Sequence, residues 1–231
     1  MEEPLSKKCI WSITLLALAL CLGSLPAMAQ TTFFSDLGTG TNVYNPSTGW
    51  TISGTGSIGE SFTAANLFTS LATGSVSQID LGVGYVAGFL NQFNASVWTD
   101  NGGLPGTELW SQTNLSSSQE FGGCCGLVTI TGISGLSLTS GQSYFVVLGP
   151  ENISNDAYLA WNWNSQGVNG LDLYSTNGGS SWNSNGTGNP LGAFDILGST
   201  GQGTVPEPSS LLLLGTGLVG AFSTLRKKLM R

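Results

Sequence analysis

The sequence predicts an all-β domain, a single jelly-roll-like β-sandwich, over residues 30–204. Short apolar runs rich in β-branched residues recur along this stretch, and sequences rich in Gly and Asn separate them. No segment within it keeps a helical apolar period over three turns. Short strands joined by tight turns are typical of sandwiches and barrels.

Three runs define the clearest predicted strands. Phe93–Trp98 alternates apolar and polar residues, Leu127–Thr131 is short and β-branched, and Ser143–Leu148 is nearly all apolar. The predicted turns combine Gly with Asn, Asp, Ser or Pro: Asp100-Asn101-Gly102-Gly103, Leu104-Pro105-Gly106, Ser140-Gly141, Asn177-Gly178-Gly179 and Asn185-Gly186. The segments WTDNGGLPGTELW and YSTNGGSSWNSNG each set an aromatic residue before an Asn-Gly-Gly turn, which predicts two similar hairpins.

The predicted domain is large enough for a hydrophobic core, at roughly 175 residues. Its Gly, Ser, Thr and Asn content is high, but disordered chains have few aromatic residues. This stretch has six tryptophans and five tyrosines: Trp50, Trp98, Trp110, Trp161, Trp163, Trp182, Tyr44, Tyr85, Tyr144, Tyr158 and Tyr174. The aromatic content therefore indicates a folded domain.

Charge is distributed very unevenly along the chain. All six Lys and Arg residues lie outside residues 30–204, and the chain has no His. The domain carries ten carboxylates and a formal charge of −10: Asp36, Glu60, Asp80, Asp100, Glu108, Glu120, Glu151, Asp156, Asp172 and Asp195. Binding to a phosphate backbone requires cations, so nucleic acid is excluded as a partner.

The same composition restricts catalysis. Without His, Lys or Arg the domain cannot form a Ser-His-Asp or Cys-His arrangement, a Schiff base, or a clamp for a phosphoryl group. A zinc site would have to use carboxylates and two cysteines alone, which is unusual. The carboxylates are the side chains that remain available, either as the paired acids of a glycosidase or as oxygen ligands of a calcium site. We expect no cofactor.

Residues 1–29 have the order of a secretory signal peptide. Two lysines precede an apolar run from Cys9 to Leu22, and a small-residue motif with Ala27 and Ala29 follows. Cleavage is expected after Ala29. A lipoprotein signal at Cys21 is the alternative, but the bulky residue before that cysteine disfavours it.

Residues 205–231 combine three features. Two prolines flank a glutamate, an apolar segment covers residues 209–225, and a basic tail covers 226–231. As a helix the apolar segment would span about 26 Å, the short limit for crossing a membrane. Basic residues are retained on the cytoplasmic side, which leaves the domain outside. The residues concerned are Pro206, Glu207, Pro208, Arg226, Lys227 and Lys228.

This order of parts resembles the PEP-CTERM sorting signal of Gram-negative bacteria, with its motif at residues 205–208. The resemblance implies recognition by an exosortase, a multi-pass membrane enzyme, with Pro206, Glu207 and Pro208 as the recognition residues. The protein would be held transiently in the inner membrane and then passed to the cell surface or the extracellular space. A plain single-pass anchor is the alternative.

The domain also resembles the small β domains of bacterial surface proteins that carry interchangeable anchors, the choice-of-anchor type. The segments concerned are SVWTDNGGLPGTELW, ISGLSLTSGQSYFVVLGP and AYLAWNWN, at residues 96–110, 133–150 and 157–164. This resemblance implies an all-β surface module and adds no catalytic residue.

Four tryptophans are candidates for binding a sugar. Trp161 and Trp163 are two residues apart, so on a strand their rings face the same side and form a flat pair. Large aromatics usually lie in the core, and we favour that interpretation. Trp98 and Trp110 flank a predicted turn, where each is either a ligand platform or a cross-strand partner.

Asp100 and the adjacent cysteines Cys124 and Cys125 are two further candidate sites. Asp100 is a candidate calcium ligand, but turn formation fully explains the sequence Asp-Asn-Gly-Gly. Cys124 and Cys125 are adjacent between glycines, which leaves a vicinal disulfide, intermolecular cross-links or free thiols. We favour the vicinal disulfide, since the flanking glycines tolerate an unusual backbone.

These observations predict a non-enzymatic surface or extracellular-matrix protein that an exosortase sorts and processes. The first alternative is a carbohydrate-binding module acting on the exopolysaccharide of a biofilm. The second is a glycosidase that uses two of the ten carboxylates. The interpretation of these acids as exposed turn residues disfavours the glycosidase.

Overall fold

A computed structural model describes residues 30–201, and Gln30–Gly201 forms a unit of its own. The predicted signal peptide and sorting signal lie outside the described residues. They include the segment 209–225 and the residues Ala27, Ala29, Pro206, Glu207, Pro208, Arg226, Lys227 and Lys228.

The described part of the chain is built from strands. In chain order they are β1 (Thr31–Ser35), β2 (Tyr44–Ser53), β3 (Thr63–Thr69), β4 (Gly74–Leu81), β5 (Val83–Tyr85), β6 (Gln92–Asp100), β7 (Pro105–Ser116), β8 (Val128–Thr131), β9 (Ser137–Leu138), β10 (Ser143–Pro150), β11 (Tyr158–Asn164), β12 (Asn169–Ser175), β13 (Asn183–Pro190) and β14 (Phe194–Ser199). A short helix, α1 (Thr55–Ile58), follows β2. Between residues 30 and 201 no helix has the length and apolar character needed to cross a membrane.

The strands form three antiparallel sheets. A five-stranded sheet has the order β1-β14-β4-β8, with β9 also paired to β4. A six-stranded sheet has the order β13-β12-β3-β10-β6-β7, and β2-β11-β5 form a three-stranded sheet. The prediction of an all-β sandwich is confirmed, while the separate three-stranded sheet was not predicted. The jelly-roll connectivity stays a prediction.

Two of the predicted strands lie within β6 and β10, and the third, Leu127–Thr131, covers β8 and the residue before it. The predicted turn Leu104-Pro105-Gly106 runs into β7, which begins at Pro105, and the turn predicted at Asn185-Gly186 is wrong. Asn185-Gly186 lies inside β13, an edge strand whose register against β12 shifts at this point. Gly186 has a φ of 106°, a conformation that favours glycine. Here that conformation accommodates a bulge in an edge strand and does not reverse the chain.

The two Asn-Gly-Gly segments connect hairpins, as predicted. One joins β6 to β7 and the other joins β12 to β13. Both pairs of glycines have positive φ values, with 66° and 87° in the first turn and 67° and 89° in the second, at Gly102, Gly103, Gly178 and Gly179. The repeated motif therefore marks two turns of similar backbone conformation.

Aromatic rings form the centre of the main core. The ring centroid of Phe194 lies 4.6 Å from that of Phe34, 5.7 Å from that of Phe68 and 5.6 Å from that of Trp161. The Trp161 Nε1–H donates a hydrogen bond of 3.1 Å to the carbonyl of Ala193. A fully buried indole needs such a partner for its N–H.

The six-stranded sheet carries apolar side chains on both faces. A second buried cluster contains Ala65, Phe145, Val147 and Leu173, with Leu67, Trp98, Leu171 and Trp182 packed against it. The other residues of β10 that alternate with Phe145 and Val147 belong to the main core. Burial on both faces explains why this strand has a nearly continuous apolar sequence.

We predict that Gly192→Ala destabilises the fold. A Cβ at Gly192 would overlap the indole ring of buried Trp161. Such overpacking costs about 1–3 kcal/mol of unfolding free energy, which urea denaturation followed by tryptophan fluorescence measures. Gly188→Ala is the matched control, since a Cβ there meets no atom within 4 Å. Equal stability of the two variants would contradict the packing described for Trp161.

Candidate functional site

Trp161 and Trp163 do not form an exposed pair. Trp161 has a relative exposure of 0%, so neither face of its ring is open to a sugar. Trp163 is half-buried, and its ring centroid lies 5.3 Å from that of Trp50. The register between β11 and β2 shifts between Asn162 and Asn164, around Trp163. Trp161 is therefore a core residue, the interpretation that the sequence analysis favours.

Trp98 and Trp110 are half-buried and pack against different clusters. Trp110 is paired with Val97 and contacts the main core. Trp98 is paired with Glu108, contacts the second cluster, and donates its Nε1–H to Ser96 Oγ at 2.7 Å. They therefore do not form one platform, and neither is the cross-strand partner of the other.

A disulfide joins Cys124 and Cys125 in the segment before β8. The sulfur atoms of the two residues lie 3.7 and 3.6 Å from the carbonyl oxygen of Thr41. Tyr44 is buried nearby, and its hydroxyl donates a hydrogen bond of 3.0 Å to the carbonyl of Gly126. The vicinal pair therefore lies against the segment that leads into β2.

The side chain of Asp100 stabilises a turn. Its Oδ1 accepts a hydrogen bond of 2.7 Å from the backbone N–H of Gly103, at the β6–β7 turn. In residues 30–201 no group of three or more His, Cys, Asp or Glu side chains is placed to hold a metal ion. The hydrogen bond accounts for the placement of Asp100 without a ligand.

A cleft of about 460 Å³ lies between β2 and the β12–β13 edge of the six-stranded sheet. Its lining combines half-buried aromatic rings with exposed polar side chains and one buried carboxyl group. The lining includes Trp50, Phe62, Tyr174, Glu60, Asn185 and Asp172. An aromatic pocket with a few convergent polar groups is a typical arrangement for small-molecule binding.

Asp172 is the buried carboxyl group of the cleft, with a relative exposure of 1%. Asn66 Nδ2 donates a hydrogen bond of 2.6 Å to its Oδ1, and Asn185 Nδ2 donates to its Oδ2. Burial raises the pKa of Asp172 to about 7, and the two amide hydrogen bonds oppose that shift. Neutral amides therefore hold this carboxyl group in place of a cation.

The Asp172 network crosses three neighbouring strands. Asn66 on β3 is paired with Asp172 on β12, and Asn185 lies on β13. Asn66 Oδ1 also accepts a hydrogen bond of 2.6 Å from the backbone N–H of Gly192. Asn185 is exposed, so the network connects a buried anchor with a side chain at the cleft surface.

Aromatic contacts fix the walls of the cleft. Trp50 donates its Nε1–H to the carbonyl of Pro190 at 3.0 Å. The ring centroids of Phe62 and Tyr174 lie 6.1 Å apart, with an interplanar angle of 44°. These rings are only partly covered by the protein, so they retain apolar surface toward the cleft.

This cleft was not predicted from the sequence. The prediction that the carboxylates are exposed is wrong for three of them: Asp36, Asp80 and Asp172 are buried. A signal was present in the sequence Leu171-Asp172-Leu173, where a charged residue stands between apolar ones in a strand. A carboxylate in that position has to be paired or protonated.

Asp36 is a second carboxyl group with a perturbed pKa, and it lies outside the cleft. Its Oδ1 accepts a hydrogen bond of 2.7 Å from the backbone N–H of Phe194, and its Oδ2 is buried without a partner among the described residues. Burial is the main cause that raises the pKa of Asp36 to about 8, and neighbouring Asp195 adds to the shift. Near neutral pH this group is therefore mainly protonated.

Comparison with known proteins identifies the end of the chain. Residues 204–227 match the family model described as the PEP-CTERM protein-sorting motif. This protein carries a PEP-CTERM sorting signal. The motif implies exosortase processing and export to the cell surface. The choice-of-anchor resemblance of the domain stays a prediction.

The other comparisons concern the chain as a whole. No curated protein matches it in sequence. Among solved structures it is similar to the cysteine protease and lectin-like domains of Cwp84, a surface layer associated protein of Clostridium difficile. The identity is 16%, the TM-score is 0.37, and 60% of this chain is covered. The chain spans 32% of the length of that structure.

We predict that Asp36→Asn reduces the pH dependence of stability. An aspartate in the unfolded chain has a pKa near 3.8 and loses its proton there, whereas Asp36 in the folded chain has a pKa of about 8. The folded state binds more protons between these values, so the free energy of unfolding falls as pH rises, by about 1.4 kcal/mol per pH unit from this group. Asparagine cannot titrate, and its Oδ1 still accepts the Phe194 N–H.

Urea denaturation at several pH values between pH 5 and 8 measures this slope. Glu151→Gln is the control, since it removes an exposed carboxylate. The Asp36→Asn slope should be shallower than that of the wild type, and the Glu151→Gln slope should match the wild type. An unchanged slope in Asp36→Asn would contradict a buried, protonated Asp36.

Proposed function

We propose that this protein is a non-enzymatic component of the cell surface or extracellular matrix of a Gram-negative bacterium, delivered through an exosortase. The single observation that carries the proposal is the PEP-CTERM motif at residues 204–227. In this scheme a signal peptide is cleaved after Ala29, and the segment 209–225 holds the chain transiently in the inner membrane. The basic residues after that segment stay in the cytoplasm.

The composition of the domain supports this function. Residues 30–204 carry ten carboxylates and no Lys, Arg or His. Such a domain is repelled by anionic lipid headgroups as it leaves the membrane surface. It also lacks the side chains used in most acyl and phosphoryl transfer reactions, which favours a structural or binding function.

Carbohydrate binding is the second candidate, and the aromatic cleft favours it. Trp50, Phe62 and Tyr174 offer partly open rings beside polar groups in that cleft. The ligand would be the exopolysaccharide in which the exported protein resides, as in a biofilm matrix. Catalysis by a glycosidase would instead require two carboxyl groups flanking one bond, and turnover lost with a single carboxylate change would favour it.

We predict that changing Pro206, Glu207 and Pro208 together to alanine blocks delivery. The wild-type protein should appear at the surface or in the medium in a shorter form, because the sorting helix has been removed. The triple variant should accumulate at its uncleaved length in the inner membrane. Mass spectrometry of the C-terminus and cell fractionation measure both outcomes in the producing bacterium.

Two controls accompany this measurement. Glu151→Ala changes an exposed acid within the domain and should be processed like the wild type. A strain without its exosortase should retain the wild-type protein in the same place as the triple variant. Normal surface delivery of the triple variant would contradict the proposed sorting function.

A further inference from the structure

The cleft beside Asp172 has the composition of a sugar-binding site. Apolar rings, neutral hydrogen-bonding groups and two carboxyl groups line the same space, which measures about 460 Å³. Volumes of this size are typical of small-molecule sites. We propose that this cleft binds a pyranose residue without negative charge, as part of a polysaccharide. This inference rests on the second function proposed above and assigns its site and ligand class.

The aromatic walls supply the main contact surface. A pyranose ring presents C–H groups on its faces, and such faces pack against aromatic rings. Tyr174 on β12 is half-buried, and its ring centroid lies 6.1 Å from that of Phe62, which directly precedes β3. The Trp50 N–H is already used by Pro190, so Trp50 offers its ring and not its donor. These rings therefore define the apolar side of the site.

Asn185 supplies directional hydrogen bonding at the cleft surface. One amide hydrogen of Asn185 is directed to Asp172, which fixes the orientation of the amide group. The second N–H of its amide group and its side-chain Oδ1 are the groups that can pair with a sugar hydroxyl. Asp172 is buried and acts through Asn185, so we assign it as a positioning residue.

Charge decides which sugars fit. Glu60 lies exposed at the cleft, Asp172 lies beneath it, and residues 30–201 contain no cationic side chain. A uronic acid would bring a carboxylate next to these acids without a counter-charge. A neutral hexose meets no such repulsion, and an amino sugar gains attraction from Glu60. The site should therefore reject acidic polysaccharides.

The test uses the purified full chain in mild detergent and three probes: oligosaccharides of glucose, of glucosamine and of glucuronic acid. Calorimetry and tryptophan fluorescence report binding, since Trp50 lines the cleft. Saturable binding of the glucose or glucosamine series, with none for the glucuronate series, is expected. Binding of glucuronate as strong as that of glucose overturns the proposal, and so does no binding of any probe.

The first variant tests the aromatic wall. Tyr174→Ala should weaken binding by about threefold to tenfold, the usual effect of one aromatic contact. Tyr158→Ala is the matched control, because Tyr158 is also half-buried and also contacts a phenylalanine, Phe89, at 5.4 Å. Equal effects of the two changes overturn the proposal. A loss of binding with Trp98→Ala but not with Tyr174→Ala overturns it as well.

A second set of variants tests whether Asp172 positions Asn185. Asn185→Ala should weaken binding by about threefold to tenfold, and exposed Asn101→Ala should leave it unchanged. Because Asp172 acts through Asn185, Asp172→Ala should add nothing once Asn185 is alanine. A purely structural function of Asp172 would weaken the double variant further. Additive losses in this cycle therefore overturn the positioning function.

Processing of the same variants is followed in the producing bacterium. Normal delivery to the surface together with no binding of any probe rejects the cleft and leaves the sorting function intact. Retention of the wild-type protein in the inner membrane together with specific binding in detergent rejects the sorting function and supports the cleft.

Discussion

The lack of any cationic side chain between residues 30 and 201 governs the polar interior of this fold. A buried carboxylate is usually paired with Lys or Arg, but here only neutral donors are available. Thr129 Oγ1 and Gln78 Nε2 donate to Asp80 at 2.6 and 2.7 Å, and two asparagines donate to Asp172. Where such donors do not offset burial, the pKa rises and a proton takes the place of the counter-ion.

Because the domain has no cationic side chain, its stability depends on apolar packing and backbone hydrogen bonds. Ion pairs cannot connect the sheets, so the aromatic cluster around Phe194 does so. Asp36 binds the backbone N–H of Phe194 and thereby ties the segment after β1 to the start of β14. The buried acid and the aromatic core therefore meet at one strand end.

Local features of the fold could be predicted from sequence, whereas the cleft could not. The apolar sequence of β10 and the two Asn-Gly-Gly turns follow from burial on both faces and from the freedom of glycine. The cleft depends on Asn66 and Asp172, which are 106 residues apart and meet only when β3 pairs with β12. Asn185 looked like a turn residue because its neighbour is Gly186, and the bulge that directs it to Asp172 is a property of the folded sheet.

The charge of the domain bears both on its export and on the ligand proposed for it. A domain with ten carboxylates and no cationic side chain is repelled by anionic lipids, which agrees with the export that the PEP-CTERM motif implies. The same charge removes electrostatic attraction as a means of holding an acidic polymer. Stacking and neutral hydrogen bonds are then the available contacts, and salt does not screen them as it screens charge pairs. A cleft lined by Trp50, Phe62, Tyr174 and Asn185 is therefore the kind of site that this composition permits.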